Sequence, residues 1–145
     1  MDYYENNELI RLQELERRVE TFKTTAERLL SEIDRMFDFF ADLKTFKKQS
    51  KTSFQFLGLN FKISVESIIA NGRINDGKLN IILLDQSNSE VENGKIMVSY
   101  DFDYLGNVAF PGNGSKNNSP ADMGLNLMNH LTSAIEEDKV PFPLI

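Results

Sequence analysis

The residues best suited to chemistry are acidic side chains in the second half of a predicted sheet. Asp101 and Asp103 are two residues apart in a predicted strand, which would place both carboxylates on one face. Carboxylates of neighbouring elements would extend this pair into an acidic patch, namely Asp85, Glu90 and Glu92. A solvated outer face is the simplest interpretation, a partner-binding surface is the alternative, and a metal or acid–base site is disfavoured.

Two loops match known ligand motifs only in part. Residues 112–116 contain Gly112 and Lys116, but not in the order G-x-x-x-x-G-K-[ST] of a phosphate-binding loop. Residues 101–112 begin like a calcium loop, yet the fifth position is Leu105 and the twelfth is a glycine, where oxygen ligands are required. We therefore predict a plain surface loop in the first case and no calcium site in the second.

The composition removes most catalytic chemistries. The chain has no cysteine, which excludes disulfides, thiol catalysis and cysteine-bound metals. Its single histidine, His130, excludes a histidine-rich metal site, and no nucleophile or carboxylate shares its face of a predicted helix. We therefore expect a non-enzymatic protein with no catalytic residues, no metal and no cofactor.

Charge and hydropathy limit the classes of partner and the cellular compartment that the sequence favours. The chain has 16 basic and 22 acidic residues, and its net charge of −6 is spread evenly along the sequence. Because no basic block could neutralise phosphates, direct nucleic-acid binding is disfavoured and a basic protein partner fits better. The sequence shows neither an apolar run of membrane-spanning length nor the basic-then-apolar pattern of a signal peptide, so we expect a cytoplasmic protein, and an effector exported without a signal peptide is the alternative.

The strongest pattern is a heptad repeat in residues 5–48, a region without glycine or proline, which predicts one long helix. The apolar residues occupy a positions 12, 19, 26, 33 and 40 and d positions 15, 22, 29, 36 and 43. Up to residue 26 the flanking positions are polar, and this narrow seam is suited to another helix. From Leu30 onward the flanks become apolar, as in Phe37, Phe39 and Phe46, so we expect this half to cover the protein's own sheet.

The remaining sequence predicts an antiparallel sheet followed by a second helix. Period-2 alternation broken by turn residues such as Asn71 and Asn93 indicates a meander of four or five strands, one of them over 95–104. The predicted elements are a sheet over 52–110, a loop over 111–119, a helix over 120–138 and an extended tail over 139–145. Together they predict one α+β domain over residues 1–145, in which both helices pack on one sheet face.

The length of the first helix predicts a partner. At about 1.5 Å per residue it would exceed the diameter of a compact domain of 145 residues, so its N-terminal half would overhang. This half would leave an apolar seam in water, made of Leu12, Leu15, Val19 and Phe22. We therefore predict self-association, most simply as a homodimer. The alternative is a helix that breaks near Thr24 and folds back as a helical hairpin.

Three functions fit these patterns. The first is a non-enzymatic, acidic protein-binding module that engages a basic protein partner through its sheet face and acidic patch, as immunity-type inhibitors and chaperones do. The second is a homo-oligomeric structural or assembly protein that acts through its N-terminal coiled coil. The third is a small-ligand binder or enzyme that uses the sheet face. The outline of the fold is too widely shared to choose among them.

Overall fold

The chain folds as two helices and an antiparallel sheet, in a computed structural model that describes residues 3–71, 73–84, 94–109 and 120–144. Within these residues, six strands lie side by side in chain order. The elements are α1 (Tyr3–Asp38), β1 (Phe46–Ser50), β2 (Ser53–Phe56), β3 (Leu59–Ala70), β4 (Arg73–Leu84), β5 (Gly94–Phe102), β6 (Val108–Ala109) and α2 (Pro120–Glu137). The helices contact each other, α1 contacts β4, and α2 contacts β5. The predicted α+β class is therefore confirmed.

Helix α1 is continuous through the position where a break was the alternative. It runs from Tyr3 to Asp38, which is about 54 Å at 1.5 Å per residue. The hydroxyl of Thr24 donates to the carbonyl oxygen of Glu20 at 3.0 Å, one turn earlier, without interrupting the helix. The folded-back helical hairpin is therefore wrong, and α1 is one rod.

The predicted end of the first helix at residue 48 is also wrong. After Asp38 the backbone hydrogen bonds span three residues instead of four. For example, Phe39 N–H donates to the Met36 carbonyl at 3.1 Å. Residues Phe46–Ser50 form strand β1, whose first three residues the sequence pattern assigned to the helix, so the sheet has one strand more than the predicted maximum of five. The segment carries no helix breaker, and its pairing with β2 overrides its helix propensity.

Phenylalanines around the end of α1 pack together in the core. The Phe46 ring lies 5.1 Å from the Phe37 ring and 5.6 Å from the Phe54 ring, and Phe54 stacks on Phe61 at 5.2 Å. Such contacts add about 0.5–1.5 kcal/mol each beyond the burial of area. The prediction that this segment faces the sheet is confirmed for Phe37 and Phe46 but wrong for Phe39, which is exposed.

Strands β3 and β4 form a long hairpin whose far half lies under the N-terminal half of α1. The last five residues of β3 are exposed, and the chain turns at Asn71, which has a φ of 54°. Ile69 of β3 pairs with Ile74 of β4, so both side chains point to the same face. Ile74 is 3% exposed whereas Ile69 is 56% exposed. Ile74 is therefore the residue through which the far half of the hairpin supports α1.

Helix α2 closes the sheet face beside α1. A Cβ on Gly124 would lie 3.1 Å from the Cβ of Met36, so the glycine allows the two helices to approach closely. The helix ends one residue before the predicted limit. Lys139 follows with a φ of 53°, and its N–H donates to the Glu136 carbonyl at 3.1 Å, as in a left-handed helix cap. Within the described ranges, neither helix combines the length and apolar content needed to cross a lipid bilayer.

Candidate binding site on helix α1 and the β3–β4 hairpin

Only part of the predicted acidic patch can be placed. Asp85, Glu90 and Glu92 lie outside the described residues. Asp101 is exposed on β5, and its Oδ1 lies 4.0 Å from the Nζ of Lys78 on β4. The partner-binding role of this patch stays a prediction.

Asp103 does not share a strand face with Asp101, which corrects the predicted pair. Strand β5 ends at Phe102, two residues before the predicted end at 104. The Asp103 carboxylate accepts hydrogen bonds from the backbone N–H groups of Leu105 and Asn107, both at 3.0 Å. Because these bonds order the turn between β5 and β6, Asp103 acts locally on its own loop.

His130 is held against a buried tyrosine. Its Nδ1 lies 2.9 Å from the Tyr100 hydroxyl, at a position where Tyr100 is 1% exposed. Burial raises the pKa of the Tyr100 phenol above its ordinary value, so this hydroxyl keeps its proton. The pair therefore joins α2 to β5 by a hydrogen bond that involves the single histidine of the chain. Among the described residues, no three carboxylate or histidine side chains lie close enough together to hold a metal ion.

The four residues of the predicted self-association seam divide between two faces of α1. Phe22 is 4% exposed, and its ring lies 6.1 Å from that of Phe102, while Leu15 is half-buried against the same core. Leu12 and Val19 are 56% and 44% exposed. The prediction of one continuous uncovered seam is therefore wrong, because the sheet covers its d positions. Only Leu12 and Val19 remain accessible to another chain.

The accessible residues belong to a wider apolar surface. Leu9 is also exposed on α1, and we call Leu9, Leu12 and Val19 the apolar flank. Beside it lies a pocket of about 270 Å³ between α1 and the sheet, with a largely apolar lining. The lining includes Val19, Phe22, Ala26, Val65, Ile74 and Phe102. A protruding apolar side chain of a partner would fit this pocket, and a helix would fit the flank.

Charged residues around the apolar flank are mainly acidic. Glu8 and Glu16 lie four residues before and after Leu12, so each is its neighbour on the helix surface. Lys23 lines the pocket, whereas the Glu66 carboxylate accepts a hydrogen bond from the Asn80 side chain at 3.0 Å, on the sheet face opposite α1. Two carboxylates against one ammonium group give this surface a negative rim, which is suited to a partner with basic residues around an apolar anchor.

A second surface on the same segment was missed by sequence reasoning. Arg11, Arg17 and Arg18 of α1 face Arg73 of β4 across a cleft of about 700 Å³, which we call the arginine cleft. The seven-residue spacing of Arg11 and Arg18 is visible in the sequence and indicates a shared helix face. Arg73 joins them only because the hairpin folds under α1, so the complete cluster could not be found from spacing alone.

No protein-family model, curated protein or solved structure matches this chain. Function must therefore be inferred from the geometry and chemistry of the surfaces themselves. The described residues offer two such surfaces, the apolar flank with its pocket and the arginine cleft, on either side of the Leu15–Phe22 face of α1.

Proposed function

We propose that this chain is a non-enzymatic protein-binding module that holds a basic protein partner against the apolar flank of α1. The observation that carries the proposal is the exposure of Leu9, Leu12 and Val19 beside an apolar pocket of about 270 Å³. Soluble proteins rarely leave large contiguous apolar patches in water, and larger patches with a polar rim mark interaction sites. Immunity-type inhibitors and chaperones work in this way, by binding rather than by catalysis.

The charge of the rim specifies the chemistry of the partner. Glu8 and Glu16 lie beside the flank, and Lys23 is the cation at the pocket. Complementary charges at the rim of an interface steer association and exclude like-charged partners. We therefore expect the partner to present an apolar anchor, such as the apolar face of a helix, with lysine or arginine side chains on either side.

Site-specific photocross-linking tests this proposal. A photoreactive amino acid replaces Leu12 in the full chain, and the same amino acid at Arg35, an exposed position further along α1, is the matched control. In cells of the native host we expect covalent adducts from position 12 but not from position 35. Mass spectrometry should identify the partner as a basic protein, and the purified partner should bind the wild-type chain in calorimetry.

Charge reversal provides the decisive comparison. Glu8→Lys combined with Glu16→Lys should abolish the adduct and weaken binding of the purified partner, while circular dichroism stays unchanged because both positions are exposed. Val19→Asp should have the same effect by removing apolar contact. Binding that survives both changes, or adducts that form equally from position 35, would contradict the proposal.

Self-association through α1 is the second candidate. The specific observation in its favour is that Leu12 and Val19 are exposed and seven residues apart, which is the spacing of a coiled-coil seam. A two-fold interface on this flank would bring the Glu8 and Glu16 carboxylates of the two copies close together, which is why we rank it second. Sedimentation equilibrium distinguishes self-association from binding of a different protein. A dimer that Leu12→Asp with Val19→Asp converts to a folded monomer would favour self-association.

A further inference from the structure

The arginines of this chain are concentrated around one cleft. Of the six arginines in the sequence, four line the space between α1 and the first residue of β4. These are Arg11, Arg17, Arg18 and Arg73. Arg11 and Arg18 precede Leu12 and Val19 by one residue each, which turns them roughly 100° around the helix and away from the apolar flank. The cleft is thus a separate surface with the opposite charge.

Among the described residues, the arginines of the cleft form no ion pair within 4.0 Å. Glu14 also lines the cleft, three residues after Arg11 and four before Arg18, which are the spacings of helix ion pairs. The ion pairs found among the described residues nevertheless involve lysine side chains and none of these arginines. The lining of the cleft therefore contains four arginines and one glutamate, in a chain whose net charge is −6.

The floor of the cleft strengthens electrostatic contacts made above it. Leu15 and Ile74 line it, and Ile74 is almost fully buried. Apolar side chains lower the local dielectric constant, so a charge bound beside them interacts more strongly than it would in bulk water. Guanidinium groups donate paired N–H groups that match the oxygens of phosphates and carboxylates. The cleft combines these donors from two separate elements.

We propose that the arginine cleft binds a compact, multiply charged small molecule that carries phosphate groups. The segment from Arg11 to Arg18 spans about 10 Å along the helix, which is the scale of two or three linked phosphates. The volume of about 700 Å³ lies within the range of small-molecule sites. Ligand binding in the arginine cleft does not require a protein partner at the apolar flank, so the two proposals can be tested separately.

A nucleic-acid strand is the competing ligand, and the cleft fits it less well. Single-strand binding sites follow several nucleotides along a basic groove and use aromatic side chains as stacking platforms. The lining of the cleft contains no aromatic residue among those described, and its helix side covers only about 10 Å. A small polyphosphate needs neither a long groove nor stacking.

Isothermal titration calorimetry with tripolyphosphate tests the proposal on the full chain at low ionic strength. We expect one site per chain, weaker binding of methyl phosphate, and loss of affinity as sodium chloride is added. Arg18→Gln and Arg73→Gln should each weaken tripolyphosphate binding at least about tenfold, because each removes hydrogen bonds to a charged group. Backbone amide chemical shifts should change at residues 11–18 and 73–74 on binding.

Arg35→Gln is the matched control, since Arg35 is an exposed arginine of α1 outside the cleft. It should bind tripolyphosphate as the wild-type chain does. The proposal is overturned if the wild-type chain shows no heat of binding at millimolar tripolyphosphate, or if Arg73→Gln and Arg35→Gln bind alike. It is also overturned if an oligonucleotide binds more tightly than tripolyphosphate and depends on the same arginines.

Discussion

Replacing Ile74 with alanine tests whether the hairpin holds the N-terminal half of α1. Ile74 lines both the apolar pocket and the arginine cleft, and it is 3% exposed. An overhanging helix, as the sequence alone suggested, would leave this position half in water. Both proposed binding surfaces depend on the contact between Ile74 and α1. The free energy that this contact contributes to folding is therefore a test of both surfaces.

The expected cost follows from burial. The substitution removes three carbon atoms, at about 0.8 kcal/mol for each buried methylene, and leaves a cavity that the surroundings fill only in part. We expect Ile74→Ala to lower the free energy of unfolding by about 2–4 kcal/mol. Ile69→Ala is the matched control, because Ile69 is the cross-strand neighbour on the same face and is 56% exposed. It should cost less than about 1 kcal/mol.

Urea unfolding followed by circular dichroism measures both values, and the loss of β-branching cancels between the two variants. Amide hydrogen exchange adds a local readout, since Ile74→Ala should accelerate exchange in the N-terminal half of α1 more than Ile69→Ala does. Equal destabilisation by the two substitutions would refute the docking of α1 on the hairpin. The apolar pocket and the arginine cleft would then lose their common wall.

Two further predictions concern single polar groups. Burial raises the pKa of Tyr100, so the folded chain keeps a proton that the unfolded chain loses above pH 10, and stability should fall by up to about 1.4 kcal/mol per pH unit in that range. Tyr100→Phe should flatten this part of the profile in urea titrations on either side of pH 10, and parallel profiles would contradict it. Asp103→Ala should cost about 1–3 kcal/mol because the N–H groups of Leu105 and Asn107 lose their acceptor. The exposed Asp101→Ala should cost less than about 1 kcal/mol, and equal costs would show that the turn does not depend on Asp103.

The candidate surfaces were predictable only in part, and the reason lies in the packing of α1. Leu12, Leu15, Val19 and Phe22 were found as one seam because their spacing is periodic. Periodicity identifies which side of a helix is apolar, but it does not state which element covers that side. The sheet covers Leu15 and Phe22 and leaves Leu12 and Val19 exposed. Neither this division nor the approach of Arg73 to the arginines of α1 is encoded in local spacing.

The sequence by itself determined the class of fold and the course of most elements. The heptad pattern of α1, the alternation of the strands and the start of α2 near Pro120 depend on local chemistry, which each segment carries with it. Only the tertiary structure decided where α1 ends. Residues after Asp38 lack a helix breaker, but packing Phe46 against Phe37 and Phe54 buries more apolar surface than a longer exposed helix could. Long-range burial outweighs local propensity there, because propensity differences amount to only a few tenths of a kcal/mol per residue.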